Sequence, residues 1–237
     1  MSNTQITAKK VEITPRKYQK NFSDYVGIGK NGNLWVEDCD VEDLVKKYGS
    51  PLLIISESQF RQSFREFKKA FTDSYEGEVE VLYANKSNNS LALRHIMNQE
   101  GGGGDCFGVN EMYISLLAGT DPKTLVLNGS NKQDEELEMA ISNGLCINID
   151  SMDELGRISE ISKKLNKSVD IGIRLALDLD PLADKTGVSM HGPGTLKEQS
   201  DSTKWGMSRE QTVEIVKNAQ KLENINLKET HFHLSRM

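Results

Sequence analysis

The chain has 237 residues, of which 37% are apolar and 27% are charged, and its formal net charge is −6 at pH 7. This length and composition suit a globular protein with enough chain for one large domain or two small ones. The acidic balance disfavours nucleic acid as a partner, and no apolar run approaches the roughly 18–20 residues that a membrane helix needs.

The N-terminal part predicts a polar lead-in followed by a β-hairpin. Residues 1–24 lack the apolar core of a secretory signal, so we expect a cytoplasmic protein. Residues 25–37 place apolar residues on either side of a Lys-Asn-Gly-Asn turn, which is typical of a hairpin. We expect residues 1–48 to form this lead-in and hairpin, and residues 49–237 to form the main domain.

Three elements are predicted before the main repeating pattern begins. A short helix over 40–49 has Asp40 as its N-cap and Gly49 as its terminator. The apolar segment 50–56 predicts a buried strand, and residues 57–71 predict an amphipathic helix. The aromatic stripe of this helix, which we expect to lie in the core, consists of Phe60, Phe64, Phe67 and Phe71.

From residue 81 onward, short apolar segments alternate with helix-like segments. The predicted strands cover 81–84, 103–106, 124–128, 146–149 and 171–177. The helix-like segments between them cover 88–99, 109–118, 132–142 and 151–166. Apolar strands that alternate with helices indicate a parallel sheet buried on both faces. Five such units favour a TIM-like (β/α) barrel over a doubly wound sheet, and no Gly-x-Gly-x-x-Gly fingerprint follows the first strand.

The pattern changes after the fifth strand. Residues 178–206 are polar and contain proline and glycine, and a connection this long is usually functional or mobile. A helix over 208–222 and a sixth strand over 230–235 follow. A (β/α)8 barrel needs eight strands and about 250 residues, so we expect an incomplete barrel of six βα units.

Polar side chains follow each predicted strand. They are Lys86, Asp105, Asn128, Asp150, Arg174, His231 and His233. Active sites of barrels lie at the carboxyl ends of the strands, so we expect these groups to converge. A lysine in such a mouth is partly desolvated, which lowers its pKa and favours the free amine that forms a Schiff base with an aldehyde.

Several of these groups have a simpler structural interpretation. Asp105 suits an N-cap for the helix near Val109, and Glu111 suits a solvent-facing acid in its first turn. Asp150 and Ser151 precede a helix and suit a capping role, which we prefer for them. Two histidines on one strand, without a third ligand, do not predict a metal site, and the three widely spaced cysteines predict neither a zinc site nor disulfides.

Six ordered motifs carry a family resemblance. They are YANKSN at 83–88, GGGGDCFGVNEM at 101–112, LNGSNKQDEELEMAISNG at 127–144, INIDSMDEL at 147–155, STKWGM at 202–207 and HFHLS at 231–235. Together they resemble the fold-type III pyridoxal-phosphate decarboxylases, the family of the diaminopimelate, ornithine and arginine enzymes, which shares the barrel of alanine racemase. The resemblance is greatest to the diaminopimelate branch.

The resemblance implies a cofactor and two catalytic residues. Lys86 matches the lysine that holds pyridoxal 5′-phosphate covalently, and His233 matches the histidine that lies against the face of the pyridine ring. The further cofactor-binding residues that it implies are Asp105, Glu111, Arg174 and Ser235. Ser235 stands where the family has glycine, and Asn85 and Ser87 replace the usual valine and alanine beside the lysine.

The resemblance also implies parts that lie outside residues 1–237. In the family, the phosphate-binding loop, the acidic partner of the pyridine nitrogen and a C-terminal β domain come later in the chain. We therefore expect this chain to be the N-terminal portion of a longer enzyme, inactive in isolation and a homodimer when full length. The hairpin at 25–37 would join the absent β domain.

The expected reaction is decarboxylation of a diamino acid, with meso-diaminopimelate giving L-lysine as the preferred hypothesis. An ornithine- or arginine-type decarboxylase is the nearest alternative within the family. An amino-acid racemase would need a second acid–base group on the opposite face of the cofactor. A truncated remnant without activity is the alternative that is not an enzyme.

Overall fold

The computed structural model describes residues 20–176 and 205–233, and these divide into two compact units. The first unit extends to Val81 and includes Gln99–Gly101, and the second comprises Leu82–Asn98 and the chain from Gly102 onward. Each unit is described by itself below. The predicted domain boundary at residues 48 and 49 stays a prediction.

The first unit contains a small antiparallel sheet and two helices. Its elements are β1 Lys20–Asn21, β2 Val26–Ile28, β3 Leu34–Val36, β4 Cys39–Asp40, α1 Val41–Tyr48 and α2 Glu57–Thr72. The strands lie in chain order, and Val26 pairs with Val36, so the predicted hairpin is confirmed. Asp40 caps α1 by accepting a hydrogen bond from the backbone N–H of Glu42 at 2.9 Å, and Gly49 ends the helix at a positive φ of 86°.

Two core predictions for this unit are wrong. The segment 50–56 does not pair with any strand in the described part of the chain, and Leu53 is 85% exposed. In the aromatic stripe of α2, Phe64 is buried, whereas Phe67 and Phe71 are about half exposed and lie against each other at 5.0 Å. An apolar pattern predicts burial only where another element covers it, and no described element of this unit covers these residues.

The second unit is a parallel α/β structure. Its elements are β5 Leu82–Ala84, α3 Leu91–Gln99, β6 Gly103–Cys106, α4 Val109–Leu117, β7 Leu125–Leu127, α5 Asp134–Asn143, β8 Cys146–Ile149, α6 Glu154–Lys164, β9 Val169–Leu175, α7 Arg209–Ala219 and β10 Ile225–Phe232. The six strands lie in chain order from β5 to β10, and every pair is parallel. This confirms the predicted incomplete barrel of six βα units.

The two faces of this sheet differ in chemistry. The apolar side chains that face the helices are fully buried and include Leu125, Leu127, Ile147, Ile149, Ile171 and Ile173. Side chains alternate between the faces of a strand, so Asn148 and Arg174 point to the opposite face, which is the interior of the partial barrel. Both are buried, and the interior near the strand ends is therefore polar.

None of the helices in the described ranges is long and apolar enough to cross a membrane. The longest of them, α2 in the first unit, carries several charged residues along its length. In the second unit, α7 begins with a reciprocal cap: the Ser208 hydroxyl accepts from the N–H of Gln211, and the Gln211 side chain accepts from the N–H of Ser208.

Candidate active site at the carboxyl ends of the strands

Lys86 lies in a single 3-10 turn, Asn85–Ser87, that directly follows β5. Its ammonium nitrogen lies 4.5 Å from the centroid of the Phe107 ring, which is the distance of a cation–π contact. The side chain is exposed, so the expected partial desolvation of this lysine is wrong for this structure. Of the described residues, Phe107 alone places a ring against the ammonium, and the amine stays accessible to an incoming aldehyde.

Hydrogen bonds of the adjacent residue, Asn85, anchor the turn that carries Lys86. Asn85 is buried and donates to the Ser115 hydroxyl at 2.8 Å and to the Cys106 sulfur at 3.2 Å. The Ser87 hydroxyl donates to the carbonyl of Ala84 at 2.7 Å. The two departures from the family pattern beside the lysine thus fix the turn through hydrogen bonds that valine and alanine side chains do not make.

Asp105 lies on β6, beside Lys86, and is half-buried. Its carboxylate accepts a hydrogen bond from the side-chain amide of Asn128 at 2.5 Å. Burial raises the pKa of Asp105, whereas the Asn128 hydrogen bond and the positive charges of Lys86 and Arg174 act in the opposite direction. The alternative role as a helix cap is wrong, because Gly108 is the N-cap of α4 and Asp105 makes no capping bond.

Glu111 lies in the first turn of α4, and its carboxylate accepts from the backbone N–H of Phe107 at 2.8 Å. Burial raises the pKa of Glu111, and the negative charge of Asp105 adds to this effect. The carboxyl group therefore closes the loop between β6 and α4 and faces Asp105. It is half-buried and does not point into solvent as the alternative interpretation expects.

Asp150 and Arg174 form a buried ion pair across two neighbouring strands. The guanidinium of Arg174 donates to the Asp150 carboxylate at 2.8 Å, and the ring of Trp205 lies 5.9 Å from the guanidinium carbon. The preferred capping role of Asp150 is wrong, because α6 begins after Asp153 and the Asp150 carboxylate is taken by Arg174. This pair fixes the Arg174 guanidinium at the carboxyl ends of the strands.

The STKWGM motif places its tryptophan beside Arg174 through backbone pairing. Met207 forms a parallel bridge with Leu175, and its N–H donates to the carbonyl of Arg174 at 2.9 Å. Gly206 has a φ of +79°, and a β-carbon there would lie 2.9 Å from the backbone nitrogen of Ala176. Only glycine tolerates both conditions, which explains the glycine that follows Trp205.

A second buried ion pair lies behind the β8 turn. The Lys132 ammonium donates to the Glu154 carboxylate at 2.9 Å, and both side chains are 1% exposed. The same carboxylate oxygen accepts from the backbone N–H of Asp150 at 2.9 Å, and Lys132 also donates to the carbonyl of Gly129 at 2.7 Å. Sequence reasoning missed this pair, whose members are separated by two elements of the chain.

His231 and His233 lie at the end of β10. His231 is the register partner of Arg174 on β9, and its Nδ1 is buried without a hydrogen-bond partner in the described part of the chain. Burial and the positive charge of Arg174 lower the pKa of His231 from 6.5 to about 4. His233 is exposed, and Ser235 lies outside the described residues.

The strand ends therefore bring together most of the predicted residues. Lys86, Asp105, Arg174 and His233 lie at the carboxyl ends of strands of one parallel sheet, and the positive charges favour the ionised form of Asp105. The site comprises an accessible amine, two half-buried carboxyl groups, a fixed guanidinium and an imidazole nitrogen that has no hydrogen-bond partner among the described residues. This chemistry fits an anionic aromatic aldehyde, which needs an amine to react with and polar partners around its ring.

The state of His231 predicts how stability depends on pH. The unfolded chain takes up a proton at this residue near pH 6.5, whereas the folded protein does so only near pH 4. The unfolded state therefore binds more protons in this window, and stability falls as the pH decreases from 6.5 to 4. In His231→Gln, urea unfolding as a function of pH should show a smaller decrease. An unchanged slope in His231→Gln would contradict the assignment.

The described residues contain no group of three histidine, cysteine, aspartate or glutamate side chains that could hold a metal ion.

Burial raises the pKa of Cys106 to about 11 and that of Cys146 to about 12. Neither thiol is thus poised to act as a nucleophile near neutral pH.

Comparison with known proteins places this site in a family. Residues 57–236 match the model of the pyridoxal-dependent decarboxylase pyridoxal binding domain. The diaminopimelate decarboxylase of Archaeoglobus fulgidus is 34% identical over 204 residues, which cover 86% of this chain and 45% of that protein. The diaminopimelate decarboxylase of Methanothermobacter thermautotrophicus is 34% identical over 157 residues, which cover 66% of this chain and 35% of that protein.

Solved structures give the same picture. The crystal structure of diaminopimelate decarboxylase from Methanocaldococcus jannaschii superposes with a TM-score of 0.79 at 30% identity and covers 89% of this chain and 48% of that one. A second structure of that protein, in complex with L-lysine, has the same TM-score at 28% identity. The chain spans about half the length of these solved relatives.

Proposed function

Because the chain belongs to the pyridoxal-dependent decarboxylase family, we propose that it carries the cofactor-binding part of an enzyme that converts meso-diaminopimelate to L-lysine and carbon dioxide. The cofactor is pyridoxal 5′-phosphate. One observation carries the proposal: the matched domain holds an accessible lysine at the exit of β5, surrounded by the polar ends of the next five strands.

We assign the roles of the site residues from their positions. Lys86 supplies the amine that holds the cofactor aldehyde, and the Phe107 ring limits where that amine can point. Arg174, held by Asp150, supplies a fixed cation for an anionic oxygen of the cofactor or the substrate. Asp105 and Glu111 place carboxyl groups beside the lysine, and His233 is the residue assigned to the face of the ring.

Bound pyridoxal phosphate supplies an electron sink for the pair of electrons left when carbon dioxide departs. The residues that would orient the substrate beside the cofactor are Arg174, which is fixed by Asp150, and the carboxyl groups of Asp105 and Glu111, all of which are in place in advance. The buried pair of Asp150 and Arg174 is suited to this, because neither group has to be desolvated when the substrate enters.

The diaminopimelate decarboxylases among the relatives support meso-diaminopimelate as the substrate, and a comparison of amino acids tests this proposal. The full-length protein, supplied with pyridoxal phosphate, should release carbon dioxide from meso-diaminopimelate at least about a hundredfold faster than from ornithine, arginine or lysine. A site that binds the distal ammonium and carboxylate of its substrate rejects analogues that lack one of them. Faster release from ornithine or arginine would favour the alternative decarboxylases, and exchange of the α-proton without carbon dioxide would favour a racemase.

The proposal extends to location and assembly. We propose a cytoplasmic homodimer for the full-length protein, which gel filtration with light scattering can test. Covalent capture of the cofactor without turnover of any amino acid would support the remaining hypothesis, a remnant without activity.

A further inference from the structure

Three strands contribute a row of connected polar side chains to the interior face of the sheet. Asn148 on β8 donates from its side-chain amide to the amide oxygen of Asn128 at 2.9 Å. Asn128, directly after β7, donates in turn to the carboxylate of Asp105 on β6. Asn128 and Asn148 are 4% and 2% exposed, so this row is shielded from water except at Asp105.

The direction of these hydrogen bonds is fixed by their chemistry. An ionised carboxylate only accepts, so the NH2 group of Asn128 must face Asp105. The oxygen of Asn128 then faces Asn148, which must present its own NH2 group. Both amides therefore align their dipoles with the positive end toward Asp105, and each bond polarises the next.

Gly172 on β9 makes room for the far end of the row. A β-carbon at this position would lie 1.8 Å from the Asn148 amide oxygen and 2.7 Å from the Glu229 side chain. A larger residue would therefore displace Asn148 or β10. The amide oxygen of Asn148 is buried without a partner in the described part of the chain, so its orientation is fixed by the bond that its NH2 group donates to Asn128.

We propose that Asn128 and Asn148 are positioning residues that form an amide relay, which orients the Asp105 carboxylate and keeps it ionised beside Lys86. The role of Asp105 toward the cofactor rests on the proposed function, whereas the effect of the relay on Asp105 itself does not. Asn128 and Asn148 lie within the family motifs at 127–144 and 147–155, and the relay connects both amides to the site through Asp105.

The relay has a definite effect on the titration of Asp105. Burial favours the protonated form of Asp105, and its electrostatic coupling to the neighbouring Glu111 carboxylate acts in the same direction, whereas the charges of Lys86, Arg174 and His233 favour the carboxylate. The hydrogen bond from Asn128 is the largest of the effects that oppose burial. Removing it should therefore allow Asp105 to take up a proton at a higher pH.

The test uses Asn128→Leu, which keeps the approximate shape of the side chain and removes the donor. Carbon-13 NMR of the aspartate carboxyl groups in the full-length protein should show the Asp105 midpoint raised by about one pH unit. The acid limb of the pH profile for covalent capture of pyridoxal phosphate should move in the same direction. Asn148→Leu should give a smaller shift of the same sign, because it weakens the relay one step away.

A matched control separates this effect from general destabilisation. Asn224 donates to the carbonyl of Ser159 at 3.0 Å, outside the relay, and Asn224→Leu should leave the Asp105 midpoint unchanged. Where Asn128→Leu does not fold, Asn128→Ala removes the same donor without adding a charge and gives the same measurement.

An unchanged midpoint in either folded Asn128 variant would overturn the relay. Failure of the unmodified protein to capture the cofactor would contradict the proposed function instead. The NMR midpoint would still decide the role of Asn128 in that case.

Discussion

Replacing Lys86 by alanine should abolish covalent capture of pyridoxal phosphate and lower the turnover of the full-length protein by at least about a thousandfold. Among the described residues, the variant removes the only lysine that follows a strand of the parallel sheet directly and lies beside a site carboxylate and an aromatic ring. Its fold should be retained, because the side chain is exposed and the turn is anchored by Asn85.

The measurement combines absorbance with chemical trapping. Borohydride reduction of the unmodified protein with cofactor should label the peptide that contains Lys86, and the yellow chromophore should be absent from Lys86→Ala. The matched control is Lys123→Ala, an exposed lysine before β7 at the opposite end of the sheet, which should capture cofactor normally. A yellow Lys86→Ala variant, or a label on Lys132, would refute the assignment.

The sequence predicts the second unit more accurately than the first because its pattern is periodic and self-consistent. The predicted strands at 103–106 and 146–149 coincide with β6 and β8, since apolar segments bounded by glycine and polar residues leave few alternatives. Segment 50–56 has the same apolar character, but no described strand pairs with it. A local pattern of apolar residues indicates that a segment tends to be buried, whereas hydrogen bonding to a neighbouring strand decides whether that segment forms a strand.

The site was predictable where a residue acts through its position at a strand exit, and not where it acts through a distant partner. Asp150 followed by a serine and a glutamate resembles a helix start, yet Arg174 on the next strand takes its carboxylate. A signal for Asn148 was present, because a polar residue inside the apolar segment CINI must face the interior of a barrel. Asn128 was predicted as a polar residue at a strand exit, whereas its hydrogen bond with Asn148 emerges only from the structure.

The two buried ion pairs form a continuous support for the cation at the mouth. Lys132 holds Glu154, Glu154 holds the backbone of Asp150, and the Asp150 carboxylate holds Arg174. The geometry of Arg174 therefore depends on a pair that is not itself exposed to substrate. A substitution at Lys132 or Glu154 can therefore alter the position of Arg174, and with it the binding of an anionic group, although neither residue contacts that group.

Glu154→Gln should lower the free energy of unfolding by about 3–5 kcal/mol, which is a large fraction of the stability of a domain. Glutamine keeps the shape of the side chain but leaves the Lys132 ammonium buried without a counter-charge. Urea unfolding should measure this loss. The exposed pair of Lys69 and Asp73 gives the control Asp73→Asn, which should change stability little because solvent screens it.

The pH dependence of Glu154→Gln distinguishes an unpaired charge from a lost contact. Burial lowers the pKa of Lys132 below its ordinary value of 10.5, and the carboxylate of Glu154 opposes this decrease. Without that carboxylate the folded protein binds fewer protons than the unfolded chain, so the variant should regain stability as the pH rises toward 10.5. The double variant Lys132→Met with Glu154→Leu should be close to the wild type in stability. A Glu154→Gln variant that regains no stability as the pH rises toward 10.5 would contradict the unpaired charge on Lys132 as the cause of the loss.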